Sequence, residues 1–359
     1  MRFWLSAVRV ICLLCAVLSP LGTAAFVPSN GTYYGLFFQT NTFWQQSSGT
    51  MKITTSSRGT YSANLRISTA CYSFSGQLST DGSASVQILR YYQYPLTVNF
   101  QVTAEDPDVI LGTIGNGVWT AVLNADRAVF NSTTNPCPFA GKYTMVLHGD
   151  FSSTQVPGGA TVGTININTA GKINLNAYLA DANKFTQSTF VSKRGRWPLY
   201  YPMYSGGGTF YGSILFNATT NEVISGDITW VKPASPCFYY YPYGFYVVNP
   251  VYGSTYVQPP KGMSVLNFTD GTIQFNGQSL YQGITNQVTL TSNNQLQNHS
   301  ANGLSFGVNL STGYFSGSVM DTVTWVWHPY KGVVVQNADI GTGYFTAGYL
   351  SGEVWLQGN

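Results

Sequence analysis

Beyond residue 30 the chain alternates apolar and polar side chains with a period of two, in short runs rich in Val, Ile, Thr, Tyr and Phe. Successive side chains of a strand point to opposite faces, so this alternation describes strands with one dry face and one wet face. Gly, Asn-Gly and Asp-Gly punctuate the runs. Gly49 to Ser68 reads as strand, turn at Ser57-Arg58-Gly59, strand, and Cys71 to Leu89 as strand, Asp81-Gly82 turn, strand. Val109 to Leu123 repeats the pattern around Asn116-Gly117. From Thr32 to Leu123 the spacing is roughly 12 residues per strand, which suits an up-and-down barrel or a sandwich. Helical periodicity is nearly absent.

The pattern then starts again. GTYYGLFF at Gly31 is matched by GKYTMVLH at Gly141, 110 residues on, and Gly59 by Gly171, 112 residues on. The Asp81-Gly82 turn is matched by Arg194-Gly195 after 113 residues, and VILG at Val109 by VISG at Val223 after 114, each followed by a Trp (Trp119, Trp230). Offsets that grow by single residues are what a duplication with small loop insertions leaves. The chain is therefore expected to be all-β, with two related antiparallel β-barrel-like or sandwich-like units in tandem. Their bounds are 26–140 and 141–359, the second unit being larger or completed by a third set of strands. Lys232 to Pro260 is too rich in Pro for a central strand and reads as an aromatic, Pro-rich connection.

The order of Gly and aromatic marks resembles a duplicated β-rich module of uncharacterised secreted bacterial proteins. The matching residues are Gly31 to Phe37, Ser48 to Tyr61, Thr189 to Tyr204, Gly226 to Pro233 and Gly341 to Leu356. In such proteins the module often follows immunoglobulin-like or other extracellular repeats, which are not seen upstream here. The resemblance implies the fold and export and assigns no activity.

Composition adds the compartment. Arg2 and Arg9 precede the apolar run Val10 to Gly22 and the small residues of TAAF, a signal peptide (1–25) cut after Ala25. The run is shorter than the ~20 residues of a membrane span. The expected location is secreted, extracellular or at the cell surface, with the periplasm as the alternative and no transmembrane span once the signal is removed. The signal carries two of the 16 basic residues and none of the 13 acidic ones, so the remainder is close to neutral. Near-neutrality argues against nucleic acid as a partner. Only 8% of residues are charged while 44% are hydrophobic and 15% aromatic, so a core can be buried despite the low charge. Cys71, Cys137 and Cys237 allow at most one disulfide and show no metal spacing.

Candidate chemistry is sparse. His148, His299 and His328 lie in separate segments, and a His148–Asp150 pairing is weaker than a strand-end histidine. The glutamates Glu105, Glu222 and Glu353 offer no evident glycosidase pair, although Asp227 with Glu222 stays open, and EDPD (Glu105 to Asp108) reads as a solvated acidic turn. Gly206-Gly207-Gly208 precedes a strand pattern, so it lacks the helix that a phosphate loop needs. An outer-membrane barrel fits the alternation but not the C-terminal LQGN. Six Asn-x-Ser/Thr sequons, at Asn30, Asn131, Asn217, Asn267, Asn298 and Asn309, matter only in a glycosylating host. What remains is aromatic. Trp197, Tyr200, Tyr201 and Tyr204, with Tyr240 and Tyr243 from the Phe238 to Tyr246 run, are candidate ligand-binding rings; the alternative is that they cap a barrel end. The function expected is a non-enzymatic protein for adhesion, surface structure or ligand capture, its partner a glycan or an extracellular or cell-surface protein. The alternative is a carbohydrate-binding protein that uses exposed Trp and Tyr rings, with or without glycoside hydrolase activity. No cofactor and no metal are expected.

Overall fold

The alternating runs fold into three antiparallel sheets, in a computed structural model that describes residues 29–40, 45–103, 105–217 and 223–359. The signal peptide expected at 1–25 and Glu222 lie outside the described residues. The first sheet holds β1 (Gly31–Phe38), β2 (Gly49–Thr55), β3 (Thr60–Ile67), β4 (Ala70–Gln77), β5 (Ser83–Arg90), β6 (Gln93–Val102), β7 (Val109–Gly115) and β8 (Thr120–Arg127). The second holds β9 (Gly141–Leu147), β10 (Thr161–Ile167), β11 (Lys172–Tyr178), β12 (Lys184–Phe190), β13 (Arg196–Met203), β14 (Gly208–Phe216), β15 (Ile224–Ser225), β16 (Asp227–Lys232) and β17 (Phe245–Thr255). The third holds β18 (Asp270–Asn276), β19 (Ile284–Leu290), β20 (Leu296–Asn298), β21 (Leu304–Asn309), β22 (Tyr314–Met320), β23 (Trp327–Val335), β24 (Ile340–Ala347) and β25 (Leu350–Gly358). The larger segment 141–359 thus contains two sheets.

In each sheet the first strand pairs with the last: β1 with β8, β9 with β17 and β18 with β25. Each sheet therefore rolls around its own core into a barrel-like unit with one unpaired seam. The first core gathers Tyr33, Phe37, Ile53, Leu65, Val98 and Leu123, inward positions of alternating strands. Trp197, Phe210 and Trp230 fill the second, and Phe275, Phe315 and Phe345 the third.

One turn recurs. At Ser56–Thr60, Ser79–Ser83, Asn168–Lys172 and Ser192–Arg196 the first N–H donates to the last C=O at 2.9, 2.8, 3.1 and 2.9 Å. The fourth residue is a glycine at φ 78°, 80°, 77° and 79° (Gly59, Gly82, Gly171, Gly195), a type I turn closed by a left-handed residue. These are the glycines whose steady offsets marked the repeat. In the third sheet Asn294, at φ 61°, takes the place of Gly59 and Gly171 in the turn Thr291–Gln295.

The stretch 232–260, expected as a connection, contains a central strand instead. β17 pairs with β16 on one side and β9 on the other. Its Pro250 lies opposite Asp227, beside Gly226 at φ 135°, where the ladder breaks between β15 and β16. The missing N–H of proline falls at that irregularity, so the strand tolerates it. Among the described residues the thiols, exposed Cys71 and Cys237 and buried Cys137, form no disulfide.

The units sit side by side with like ends together. At one end, the acidic turn expected to be solvated holds the basic turn of the second unit: Arg194 pairs with Asp106 and with Asp126 (3.0 Å), and Lys193 with Asp108 (3.1 Å). Arg127 Nε also donates to Asp108 at 2.7 Å. At the other end Ser68 donates its N–H to the Tyr200 hydroxyl (2.7 Å) and its Oγ to the Gly206 carbonyl (2.9 Å). Between the second and third units Val146, Val162, Val333 and Val335 pack together, and the Thr144 hydroxyl donates to the Val334 carbonyl at 2.7 Å.

Burial works to raise the Asp108 pKa, but Arg127 and Lys193 outweigh it and hold the carboxyl below its ordinary value. Such a group stabilises the fold above its unfolded pKa, ~3.9, and that stability is lost as pH falls through the lower folded value. Burial raises the Asp126 pKa, with Arg196 opposing, so Asp126 partly offsets this trend in acid. Asp108→Asn is expected to lower stability at neutral pH by about 1 kcal/mol, solvent screening included. It also narrows the difference between the unfolding free energies at pH 7 and pH 3, which urea titrations at both values measure.

Candidate functional site

The rings expected to bind a ligand fall into different environments. Trp197 is fully buried in the second core, its Nε1 donating to Gln187 Oε1 (2.9 Å) and its ring stacked near Phe216 (5.7 Å). A ring with no open face cannot stack on a ligand, so Trp197 is a core residue. Tyr200 packs with Leu36 and Tyr211 between the first two units, and burial pushes its pKa up to about 12. Tyr201 lies flat on Phe185 at 4.4 Å.

Tyr204 joins a buried ionic cluster. Asp181 Oδ2, in the turn between β11 and β12, accepts from Lys232 Nζ (2.7 Å), the Tyr204 hydroxyl (2.6 Å) and Asn183 Nδ2 (2.8 Å). Trp230 Nε1 donates to the Tyr204 oxygen (3.0 Å), and Lys232 also sits over the rings of Tyr204 (4.6 Å) and Phe238 (4.9 Å). Burial and the Asp181 charge push the Tyr204 pKa far up, so the phenol stays a neutral donor. The cluster plugs one end of the second barrel. Tyr240 is half-buried, edge-on to Tyr239 at 5.0 Å, whereas Tyr243 is 91% exposed beside Tyr349, over a cleft of ≈ 520 Å³.

A larger cleft of ≈ 710 Å³ opens at the corresponding end of the first barrel. The turns β5–β6 and β7–β8 and the start of β4 supply Tyr72, Tyr92, Tyr94 and Trp119. Polar groups converge with them: Gln45, Gln46, Arg90, Gln93 and Asn116, while Gly206 and Gly207 of the second unit form the far wall. Several of these groups are held. Arg90 Nε donates to the Tyr94 carbonyl (2.8 Å), Asn116 Oδ1 accepts from the Val118 and Trp119 N–H groups (3.0 and 3.1 Å), and Gln45 donates to the Gly206 carbonyl. Tyr92 and Tyr94 are 91% and 68% exposed.

Tyr92 also carries backbone strain, at φ 54°. The equivalent turns of the other barrels, β13–β14 and β22–β23, place Tyr204 at 52° and Trp325 at 57°. A bulky residue in the left-handed region costs on the order of 1–3 kcal/mol and persists where its surroundings impose it. In the second barrel the strained ring turns inward to Asp181; in the first and third it stands in solvent. The loops at this end carry no Lys or Arg among the described residues, and of their acidic residues Asp181 and Asp321 are buried. The end of the molecule is aromatic, amide-rich and nearly uncharged.

Hydrolytic arrangements are not brought together among the described residues. His148 stacks on Tyr252 and burial lowers its pKa, while Asp150 accepts from Ser152. His299 contacts Thr289, and His328 is buried. Gly303-Leu304-Ser305-Phe306-Gly307 has the spacing of a nucleophile elbow, yet it lies along β21 with Ser305 against Ser318 (3.0 Å), not at a strand-to-helix turn. No group of three His, Cys, Asp or Glu that could hold a metal occurs among the described residues. The sequence does not by itself single out Tyr72, Tyr92, Tyr94 and Trp119 as ligand-binding rings; the available signal is the Tyr-rich stretch YYQYP (Tyr91 to Pro95), beside YYPMY (Tyr200 to Tyr204) of the second unit.

No protein-family model and no curated protein matches the chain. Among solved structures, intact Ap-TbpB (N and C lobes) aligns at 9% identity over 92% of this chain and 77% of that one, with a TM-score of 0.23. A transferrin binding protein B double mutant from Haemophilus parasuis Hp5 gives 9%, 92%, 75% and 0.23. Endo-1,5-alpha-L-arabinanase from Thermotoga petrophila RKU-1 gives 8%, 86%, 95% and 0.21. Similarity at this level says nothing about activity.

Removing Lys232 leaves Asp181 buried without its cation. Lys232→Ala is expected to destabilise the protein by about 3–5 kcal/mol, and the pair Lys232→Met with Asp181→Asn by much less. Urea unfolding of both variants checks this, since equal losses would contradict a charge-pairing role.

Proposed function

We propose that this is a non-enzymatic, extracellular binding protein that captures a neutral glycan in the cleft between the first and second units. The observation that carries the reading is the lining: four aromatic rings, one of them strained outward, with amides and a single guanidinium between them. Sugars present C–H faces that stack on rings and hydroxyls that need donors and acceptors. Tyr and Trp supply the first at low ordering cost, while Gln45, Gln46, Gln93, Asn116 and Arg90 supply the second. The lack of other charge favours a neutral ligand over an anionic one. Tyr243 and Tyr349 at the second cleft offer a further contact for a longer chain.

Glycan-array binding followed by titration calorimetry tests the proposal. Trp119→Ala and Tyr92→Ala should each weaken binding by up to about tenfold, at ~0.5–1.5 kcal/mol per ring contact, whereas Tyr201→Phe should not. Retention of acidic glycans only, or of none, would contradict it.

A further inference from the structure

The three barrels treat their seams differently. In the second, Gln187 on β12 reaches across to β13, donating to the Pro198 and Tyr200 carbonyls (3.2 and 3.3 Å) and accepting from Trp197, whose ring fills the gap. In the third, where the seam lies between β20 and β21, Asn302 exchanges hydrogen bonds with Asn286 (2.6 and 3.2 Å) and donates to the Met320 carbonyl (3.1 Å). The first barrel has no such bridge among the described residues. β4 and β5 share the turn Ser79–Ser83, then run on without a ladder between them. The 113-residue offset explains the difference: Phe74 stands where Gln187 would be, and Ala84 where Trp197 would be.

The open seam exposes two unpaired strand edges of eight residues each. Such edges are usually guarded by Lys, Pro or a short length. ACYSFSGQ contains neither, and SASVQILR carries only the terminal Arg90. Behind the edges Phe74, Ala84, Val86 and Ile88 are half-buried, packed on the core on one side and open on the other. Two rows of N–H and C=O groups over an apolar floor, otherwise left to water, match the pairing pattern of another extended backbone.

We infer that the β4–β5 seam accepts an extended, uncharged peptide segment of a partner protein as an inserted strand. The segment runs antiparallel to one edge and parallel to the other, because β4 and β5 are themselves antiparallel. Alternate apolar side chains point inward onto Phe74, Val86 and Ile88, and polar ones point out. The cleft at the mouth of the barrel shares Tyr72 of β4 and Arg90 of β5 with this seam, so Trp119, which lies on neither strand, separates the two.

The test uses hydrogen exchange on the full chain with a synthetic nine-residue peptide of alternating Thr and Val, and an analogue with Asp in place of Val. The seam-facing backbone amides of β4 and β5, those not paired with β3 or β6, should exchange freely without peptide and be protected at least tenfold by the Thr/Val peptide but not by the Asp analogue. Ala84→Trp, which restores the plug of the second barrel, and Phe74→Lys, an inward charge, should each abolish that protection while keeping the native near-UV circular dichroism. Trp119→Ala should leave it unchanged. The inference fails if the edges are already protected in the free chain, if Ala84→Trp binds the peptide as the parent does, or if protection appears with protein concentration alone, which would make a second copy the occupant.

Discussion

A sheet that rolls up but leaves one seam unladdered must satisfy two rows of backbone groups by other means, and in this protein that requirement sets much of the rest. Where a side chain can bridge the seam, the barrel becomes a dry, packed body. Gln187 and Trp197 do this in the second unit, and Asn286 with Asn302 in the third. Both bridges place polar groups where they are fully hydrogen-bonded, which keeps the cost of burying them low. Without a bridge, as between β4 and β5, the core keeps a half-open flank.

The ends of the barrels divide the labour. One end carries tight turns with glycine or asparagine in the left-handed region, and its charges pair across units, as Arg194 does with Asp106 and Asp126. Those contacts hold the first two units with like ends together. The opposite end is then free to collect its loops into one nearly uncharged surface. Strain is concentrated there, at Tyr92 and Trp325, in loops that the packed strands support from below.

The second barrel shows why aromatic content alone does not identify a binding surface. Trp197, Tyr201 and Tyr204 look from their neighbours like a ligand platform, yet they fill a core, stack on Phe185 and ligate Asp181. Tyr91, Tyr92 and Tyr94, in the Tyr- and Pro-rich counterpart stretch of the first unit, stand in solvent. The difference lies in the partners Gln187, Asp181 and Lys232, which other strands and turns of the second barrel supply.

Strand class, the turn glycines and the repeat were legible in the residues, because a period of two and a positive φ are local demands that leave local marks. Phe74 and Ala84 could be aligned with Gln187 and Trp197 from the offset alone. Other features were not legible. Pro250 belongs to a central strand only because Gly226 breaks the ladder beside it, and Asp106 is ion-paired only because Arg194 arrives from another unit. The cleft gathers residues from Gln45 to Gly207. Local backbone preference acts over a few residues, whereas pairing, burial and pocket lining depend on which distant strands meet, and only the tertiary structure decides that.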